Sequence, residues 1–467
     1  MEYYGNIGIC GKEYSSVLKN GEITIIDSRE DLLRKKKINE ITGKWINLKK
    51  EYSELFLKLS FKSFVDDAVI LNVDACYDVF DYNLGREEKS CEIHKLTFRS
   101  DVLDFFYRPT GKYIDSIAKL IKGFGKDDEI SMHTKKYKFK YNQKEFELYF
   151  GFNAYLKVDN IFPFDVFNSL NIECNEEITL DEIYNLSFIV KKFLSFLSNT
   201  RIVKIDKIIT NGYFDEEHIS KYRHGNYYIH QGNIENVSCS NVISYDYLED
   251  SIGNIMKEII YDKLVRDKIP EIIEKSGKQC KKEIIDDNIC FTSLFQYDKD
   301  IVSYVDIMNI CAAFESQFDV TYQNYKSDIF KKIKKDVVNS VKSMKDNYPN
   351  EEELTIYNEI LSGVKNYSDY LRNKIDFALF EFEKLYDESK DLVDIKFDFK
   401  DDYKEMPKRI KDARNHLDHG STYHFNGSEL TDTYLLRAIT YFMILKHAGV
   451  DNNNIMKCIR IFTRFGV

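Results

Sequence analysis

The chain has 467 residues, of which 43% are hydrophobic and 31% are charged, and its formal net charge is −10. This length is typical of two or three domains, and 33 Tyr with 33 Phe provide far more aromatic surface than a disordered chain carries. Only 20 Gly and 5 Pro, with no sustained heptads, exclude collagen-like and coiled-coil classes.

The apolar runs and the cysteines bear on the cellular compartment. The apolar runs are short, as at Ala68 to Leu71 and Tyr441 to Leu445, whereas a membrane span needs about 20 apolar residues. The chain start has no basic segment followed by an apolar stretch, as a secretory signal would have. Nine irregularly spaced cysteines without a CxxC pattern are typical of reduced thiols. We therefore expect a cytoplasmic protein with no membrane partner.

The first 170 residues have the pattern of β-strands. The clearest feature is a hairpin from Tyr137 to Phe150, in which aromatic residues alternate with charged ones and Asn142 and Gln143 form the turn. Period-two alternation places the aromatic side chains on one buried face of a sheet. Short runs of β-branched and other apolar residues predict three further strands: Ile23–Asp27, Ala68–Asp74 and Ile93–Arg99.

A helix is predicted after this β-rich part. Thr179 and Glu182 have the spacing of a capping box. Apolar residues follow at helical spacing from Ile183 to Leu197, and Asn199 with Thr200 ends the run. A mixed region extends to about residue 255.

The last part of the chain is predicted to be all helical, with a C-cap at Gly449. Five segments carry apolar residues at steps of three and four: Ile307–Phe318, Ile329–Met344, Leu371–Leu385, Arg409–Leu417 and Tyr434–Lys446. The fold class is therefore α+β multidomain. We predict a β-rich domain over 1–170, a mixed helical linker or sensor region over 171–290, and a helical domain over 291–467.

One predicted helix concentrates residues with catalytic chemistry. Arg414, Asn415, His416 and His419 follow one another on a helix whose apolar stripe is Ile410, Ala413 and Leu417. On an ideal helix, positions 414 and 419 are about 140° apart. The two side chains can meet one substrate if the helix ends near His419, as the following Gly420 favours.

The spacing Arg-Asn-x-x-x-His resembles the motif of HEPN ribonucleases. Spacing alone is weak evidence, because about one accidental match is expected in a chain of this composition. Arg223 with His230 and Arg409 with His416 also fit. The match at Arg414 is favoured because Asn415 follows directly and the segment lies late in a helical domain. This arrangement resembles the C-terminal HEPN domain of ApeA-type bacterial abortive-infection proteins. The β-rich N-terminal half of the chain, followed by the helix predicted after Thr179, also resembles the N-terminal region of that family.

The resemblance implies a metal-independent endoribonuclease that needs no cofactor, acts as a homodimer through its HEPN domain, and defends bacteria against phage. His419 would be the acid or base, Arg414 the phosphate clamp, and Asn415 an orienting group. His416 and Glu315 are accessory candidates. The substrate would be tRNA or another RNA, the products a 2′,3′-cyclic phosphate and a 5′-OH, and the trigger a phage-encoded one. The alternative from another class is a non-catalytic HEPN module that only binds RNA.

A second motif, Asp262 to Lys278, resembles the N-terminal signature of small all-α nucleotide pyrophosphohydrolases. Those enzymes hold Mg²⁺ with ExxE and ExxD pairs on later helices, and here the candidate pair of Glu388 and Asp391 stands alone. The metal site is therefore incomplete. The segment is then either an amphipathic connector or a degenerate phosphate- or nucleotide-binding segment, whose cations are Lys263, Arg266 and Lys268. Nucleotide hydrolysis or nucleotide sensing through residues 262–278 is the alternative function that this second motif offers.

Basic clusters offer local surfaces for a polyanion despite the acidic total. They are Arg34–Lys37, Lys135–Lys136 and Lys331–Lys335. In the last cluster the lysines interleave with apolar residues that include Ile333 and Val337, so we expect one helix face to pack while the other meets phosphate. Most such runs are only solvated faces.

Overall fold

A computed structural model describes a large part of the chain. The described residues are 2–9, 12–26, 42–49, 53–65, 68–80, 92–107, 130–156, 164–200, 203–212, 222–229, 242–260, 304–323, 325, 328–344, 347–348, 350–366, 371–389, 401–418 and 428–463. The chain divides into two compact units. The first comprises Met1–Asp246 and Met256–Lys263, and the second comprises Tyr247–Ile255 and Leu264–Val467.

The first unit is built on one antiparallel sheet, to which thirteen strands belong within the described residues. The strands are β1 (Glu2–Ile9), β2 (Lys12–Lys19), β3 (Glu22–Ile25), β4 (Trp45–Lys49), β5 (Ser53–Val65), β6 (Ala68–Phe80), β7 (Ile93–Arg99), β8 (Ile130–His133), β9 (Tyr137–Tyr141), β10 (Lys144–Leu156), β11 (Phe164–Cys174), β12 (Lys207–Gly212) and β13 (Tyr222–Ile229). Their order is β1-β2-β3-β6-β13-β12-β7-β11-β10-β8, while β5 pairs with β4 and β6, and β9 pairs with β10.

The predicted hairpin is confirmed. β9 and β10 pair with Tyr141 opposite Lys144, and Asn142 and Gln143 form the turn with φ of 48° and 68°. Asn is among the residues that tolerate this left-handed region best. Along β9 the aromatic residues are buried and the lysines are exposed.

Helices cover the sheet of the first unit. They are α1 (Asp101–Phe106) and α2 (Leu180–Ser198), while the short helix α3 (Tyr245–Leu248) begins in the first unit and ends in the second. The capping box predicted at Thr179 and Glu182 is confirmed, and Asn199 ends α2 in the left-handed conformation. Phe193 of α2 lies against the buried ring of Phe150 on β10, with 6.2 Å between ring centroids. The aromatic residues of the sheet therefore form a core with this helix.

The second unit is helical in the part of the chain that the structure describes. Its helices are α4 (Tyr304–Thr321), α5 (Asp328–Ser343), α6 (Glu351–Asn366), α7 (Leu371–Ser389), α8 (Asp401–Lys404), α9 (Met406–Asp418), α10 (Ser428–His447) and α11 (Asn452–Thr463). Gly449 has φ of +80° after α10, as the predicted C-cap requires. The backbone N–H of Asn454 donates to the Asp451 carboxylate at 3.1 Å, so Asp451 caps α11.

The α+β prediction, with a β-rich first part and a helical last part, is confirmed. The domain limits remain predictions: β11 crosses position 170, and position 290 lies outside the described residues. One packing expectation is wrong. Ile333 and Val337 of α5 are 58% and 41% exposed, so these two residues do not form a buried face. Helix α5 meets α6 further along, where the Tyr357 hydroxyl donates to the carbonyl of Val341.

Candidate functional site

The helix α9 carries the motif residues that the structure describes. Its apolar residues Met406, Ile410 and Ala413 are at most 1% exposed, so two residues of the predicted stripe, Ile410 and Ala413, are buried, while the side chain of the third, Leu417, lies outside the described residues. Pro407 lies in the first turn, where a missing N–H costs nothing. The burial of this stripe fixes the rotation of α9, and the rotation sets which side chains reach solvent.

Arg414 lies at the edge of the buried stripe and meets α4. Its Nη2 is 3.3 Å from Oε2 of Glu315, and the two side chains are 34% and 27% exposed. The structure thus brings together Arg414 and the accessory candidate Glu315, which are about 100 residues apart in the chain. The guanidinium of Arg414 lies beside Glu315 and is partly exposed, and a guanidinium can bind a phosphate through paired hydrogen bonds.

Asn415 and His416 are both exposed on α9, but they leave the helix in different directions. On an ideal helix Asn415 is about 100° from Arg414, while His416 is about 160° away. Asn415 is therefore closer to the Arg414 side of the helix, and His416 points to nearly the opposite side. This geometry favours Asn415 over His416 as a group that acts together with Arg414.

Arg409, the arginine of a competing motif match, has a different environment. Its Nε and Nη2 donate to the two carboxylate oxygens of Asp432 on α10, each at 2.7 Å. The Asp432 side chain is 1% exposed, and that of Arg409 is 20% exposed. A bidentate pair with a buried carboxylate joins α9 to α10, so Arg409 has a structural role. No local pattern in the sequence indicated this pair, because the two residues lie 23 positions apart on different helices.

Several predicted residues lie outside the described residues. These are His419 and His230, and also Lys263, Arg266 and Lys268 of the second motif. The backbone of Arg223 belongs to β13, an extended strand, whereas Arg414 lies on a helix. Helix α9 is described through Asp418, the residue before His419.

The basic clusters differ in their surroundings. Lys136 contacts Glu147 and Glu173 at 2.8 and 2.9 Å, and hydrogen bonds to these two carboxylates raise the pKa of Lys136 to about 12. This lysine is therefore already paired with acidic groups on the sheet. Lys332 and Lys335 of α5 are exposed, and Arg34–Lys37 lies outside the described residues.

Among the residues that the structure describes, no group of three His, Cys, Asp or Glu side chains is placed to hold a metal ion. Within the same ranges, no helix combines the length and the apolar character needed to cross a membrane.

Comparison with known proteins bears on the helical unit. The family model described as Apea-like HEPN matches residues 308–454. No curated protein and no solved structure matched the chain. The matched range contains Glu315, Arg414, Asn415 and His419, so the motif lies inside the domain that the resemblance indicated.

Proposed function

Residues 308–454 are an ApeA-type HEPN domain, and from this premise we propose that the chain is a metal-independent endoribonuclease of bacterial defence against phage. The observation that carries the proposal is the Arg414–Glu315 pair. It supports the proposal because the motif arginine is partly exposed where it meets α4. The other arginine on α9, Arg409, is held by a buried carboxylate instead.

The proposed reaction uses the 2′-OH of RNA as the nucleophile. The 2′ oxygen attacks the neighbouring phosphorus, its proton passes to a base, and the bond from phosphorus to the 5′ oxygen breaks as that oxygen receives a proton. The products are a 2′,3′-cyclic phosphate and a 5′-OH. His419 is the proposed acid or base, because an imidazole titrates near neutral pH. Arg414 stabilises the charge that develops on the phosphate, and Asn415 orients the reacting groups.

Glu315 is proposed as a positioning residue that acts through Arg414. A long arginine side chain loses rotamer freedom when it clamps a phosphate, and a carboxylate that already restrains it lowers this cost. We expect Glu315→Gln to retain part of the activity, since the amide oxygen still accepts a hydrogen bond from the guanidinium.

The proposed substrate is tRNA or another structured RNA, cut in single-stranded loops, where the 2′-OH is free to align with its phosphate. HEPN domains typically bind RNA and dimerise, so we propose a homodimer that works in the cytoplasm, with activation by a phage-encoded trigger. Mass measurement of the purified protein in solution tests the dimer, and a monomer at all concentrations contradicts it.

The proposal is tested by incubating the purified full chain with total RNA in EDTA. We expect cleavage by the wild type, and loss of cleavage in Arg414→Ala and His419→Ala. Matched controls are Arg372→Ala, which removes an exposed arginine on α7, and His447→Ala, which removes an exposed histidine at the end of α10. Both controls should cut like the wild type.

The other outcomes point to the alternative functions. Cleavage that survives in both motif variants contradicts the proposed site. Hydrolysis of a free nucleotide only with Mg²⁺ supports the pyrophosphohydrolase-like alternative through residues 262–278. RNA binding without any cleavage supports the non-catalytic HEPN module.

A further inference from the structure

Helices α5 and α6 form a hairpin with few buried side chains. Only residues 344–350 separate the two helices, so they run antiparallel. The described side chains of α5 are all at least partly exposed, and among those of α6 Tyr357 and Leu361 are the buried ones. The Tyr357 hydroxyl donates to the carbonyl of Val341 at 2.8 Å, and the Tyr357 ring lies 5.5 Å from that of Tyr348. These contacts join the two helices along one side of each.

Each helix of the hairpin also exposes a stripe of apolar side chains. On α5, Ile333, Val337 and Met344 are 58%, 41% and 47% exposed, and on an ideal helix they lie within about 40° of one another. On α6, Ile356 and Ile360 are 53% and 56% exposed, and they are also about 40° apart. We call these five residues the hairpin face.

The two stripes lie on the same side of the hairpin. On an ideal helix the α5 stripe is about 90° from the half-buried Val338 and Val341, where α5 meets α6. The α6 stripe is about 100° from the buried Tyr357 and Leu361, in the same rotational sense. In an antiparallel pair, the same rotation away from the contact leads to the same side. The hairpin face is therefore one continuous apolar surface.

The two helices carry opposite net charges. Helix α5 has five lysines and two aspartates, a net charge of +3, and α6 has four glutamates and one lysine, a net charge of −3. Lys332 and Lys335 of α5 and Glu352 and Glu359 of α6 are exposed and form no ion pair among the described residues. Both signs of charge are therefore available to a partner that meets the hairpin.

We propose that the hairpin face is a dimer interface, in which α5 of one copy lies on α6 of the other. A twofold axis parallel to the helices produces this arrangement, and it places each basic helix against an acidic one. The two hairpins then form a four-helix bundle with both hairpin faces inside. The inference rests on the homodimer of the proposed function and adds where the two copies meet.

The size of the hairpin face suits a dimer that dissociates on dilution. Each helix has 16 residues, so the face is about 24 Å long and, across two packed helices, about 20 Å wide. Two copies would bury about 1,000 Å² in total, which is near the lower limit for a specific interface.

Other occupants fit this surface less well. A membrane with anionic lipids or an RNA strand would be attracted by the lysines of α5 and repelled by the glutamates of α6. A second copy uses both charges and buries the apolar stripes at the same time. The hairpin itself supplies the complementary surface, as an isologous interface requires.

The experiment measures the mass of the full chain by sedimentation from about 0.1 to about 100 μM, a range that covers the affinity expected for a small interface. Two variants each place one charge in the hairpin face: Val337→Lys on α5 and Ile360→Glu on α6. We expect each to weaken the wild-type dimer by about 100-fold or more, because every homodimer would bury the new charge twice.

The mixture of these two variants tests the arrangement itself. Val337 and Ile360 lie at nearly the same height of the hairpin, because Val341 meets Tyr357. In the proposed dimer Lys at 337 of one copy therefore faces Glu at 360 of the other. We expect the mixture to form a heterodimer that neither variant forms alone with itself.

Matched controls are Phe380→Lys on α7 and Val305→Glu on α4. They place the same charges at apolar positions that are 62% and 65% exposed elsewhere in the unit, and both should dimerise like the wild type. Circular dichroism checks that every variant is folded, and Ile333→Lys and Ile356→Glu are second variants of the same face that should also weaken the dimer.

Three results would overturn the interface. They are a wild type that stays monomeric, single variants that dimerise like the wild type, and a mixture that stays monomeric when both single variants do. Cleavage of RNA in EDTA, measured in parallel, separates this inference from the proposed function. Cleavage together with any of the three results contradicts the interface and leaves the ribonuclease intact. Dimers that depend on the hairpin face, together with no cleavage, support the interface and contradict the ribonuclease.

Discussion

Arg409 and Arg414 lie five residues apart on α9 and should respond to substitution in opposite ways. Arg409→Ala removes both nitrogens that contact the Asp432 carboxylate, whose side chain is 1% exposed. Removing one partner of a buried ion pair costs about 3–5 kcal/mol. Since the Arg409 side chain is 20% exposed, water can enter the vacated space, and we take the lower end, about 3 kcal/mol. For a unit of about 200 residues, this lowers Tm by about 6–12 °C.

Arg414→Ala removes a contact of 3.3 Å between side chains that are 34% and 27% exposed. Solvent screens such pairs, which contribute about 0–1 kcal/mol, so its Tm should change by no more than about 4 °C. Its RNA cleavage should nevertheless fall by about 100- to 1,000-fold, the usual effect of removing a group that stabilises transition-state charge.

The assay combines thermal unfolding with RNA cleavage, measured at a temperature at which both variants are folded. Arg409→Ala should unfold early and cut RNA near the wild-type rate, and Arg414→Ala should unfold normally and fail to cut. If Arg409→Ala is as stable as the wild type and inactive, the assignment of the two arginines is wrong and the motif is the one that begins at Arg409.

Three further predictions concern stability and pH. Thr179→Ala removes the capping box of α2 and should cost about 1 kcal/mol, whereas Thr355→Ala on exposed α6 should change Tm little; equal shifts would contradict the capping role. Burial raises the pKa of Glu173, but the hydrogen bonds that its carboxylate accepts from Tyr149 and Lys136 lower the pKa by more, to about 2. Its stabilisation is therefore present above about pH 4.5, the usual pKa, and is lost as the pH falls towards 2. In Tyr149→Phe this acid-dependent loss should shrink, and an unchanged pH profile of Tm would refute it. If His419 is the acid or base, the rate of cleavage should follow a group that titrates at about pH 6–7, and a flat profile with chemistry rate-limiting would exclude that role.

Local patterns in the sequence predicted the elements that have one buried face and one exposed face. The β9–β10 hairpin and the capped start of α2 follow from period-two alternation and from a polar residue at a fixed offset. Helix α6 was not predicted, although Leu354, Tyr357, Leu361 and Val364 recur along it at steps of three and four. Strand β5 was also missed, although its buried Leu55, Leu57 and Leu59 alternate as a strand requires.

In the candidate site, local patterns did not predict the contacts between residues that lie far apart in the chain. Arg414 and Asn415 were proposed because the motif lies within six consecutive positions, and Glu315 was proposed only as an accessory residue on an earlier helix. That Glu315 reaches Arg414, and that Asp432 reaches Arg409, depends on how α4, α9 and α10 pack. Pairing over such sequence distances is set by tertiary packing, which periodicity along one helix does not contain.

The central claim is that the HEPN domain cuts RNA through Arg414 and His419 without a metal ion. The most direct test is to map the ends of RNA produced in EDTA by the wild type and by Arg414→Ala and His419→Ala. We predict 2′,3′-cyclic phosphate and 5′-OH ends from the wild type and no new ends from either variant. Ends that still form in both variants, or that form only when a divalent metal is added, would contradict the claim.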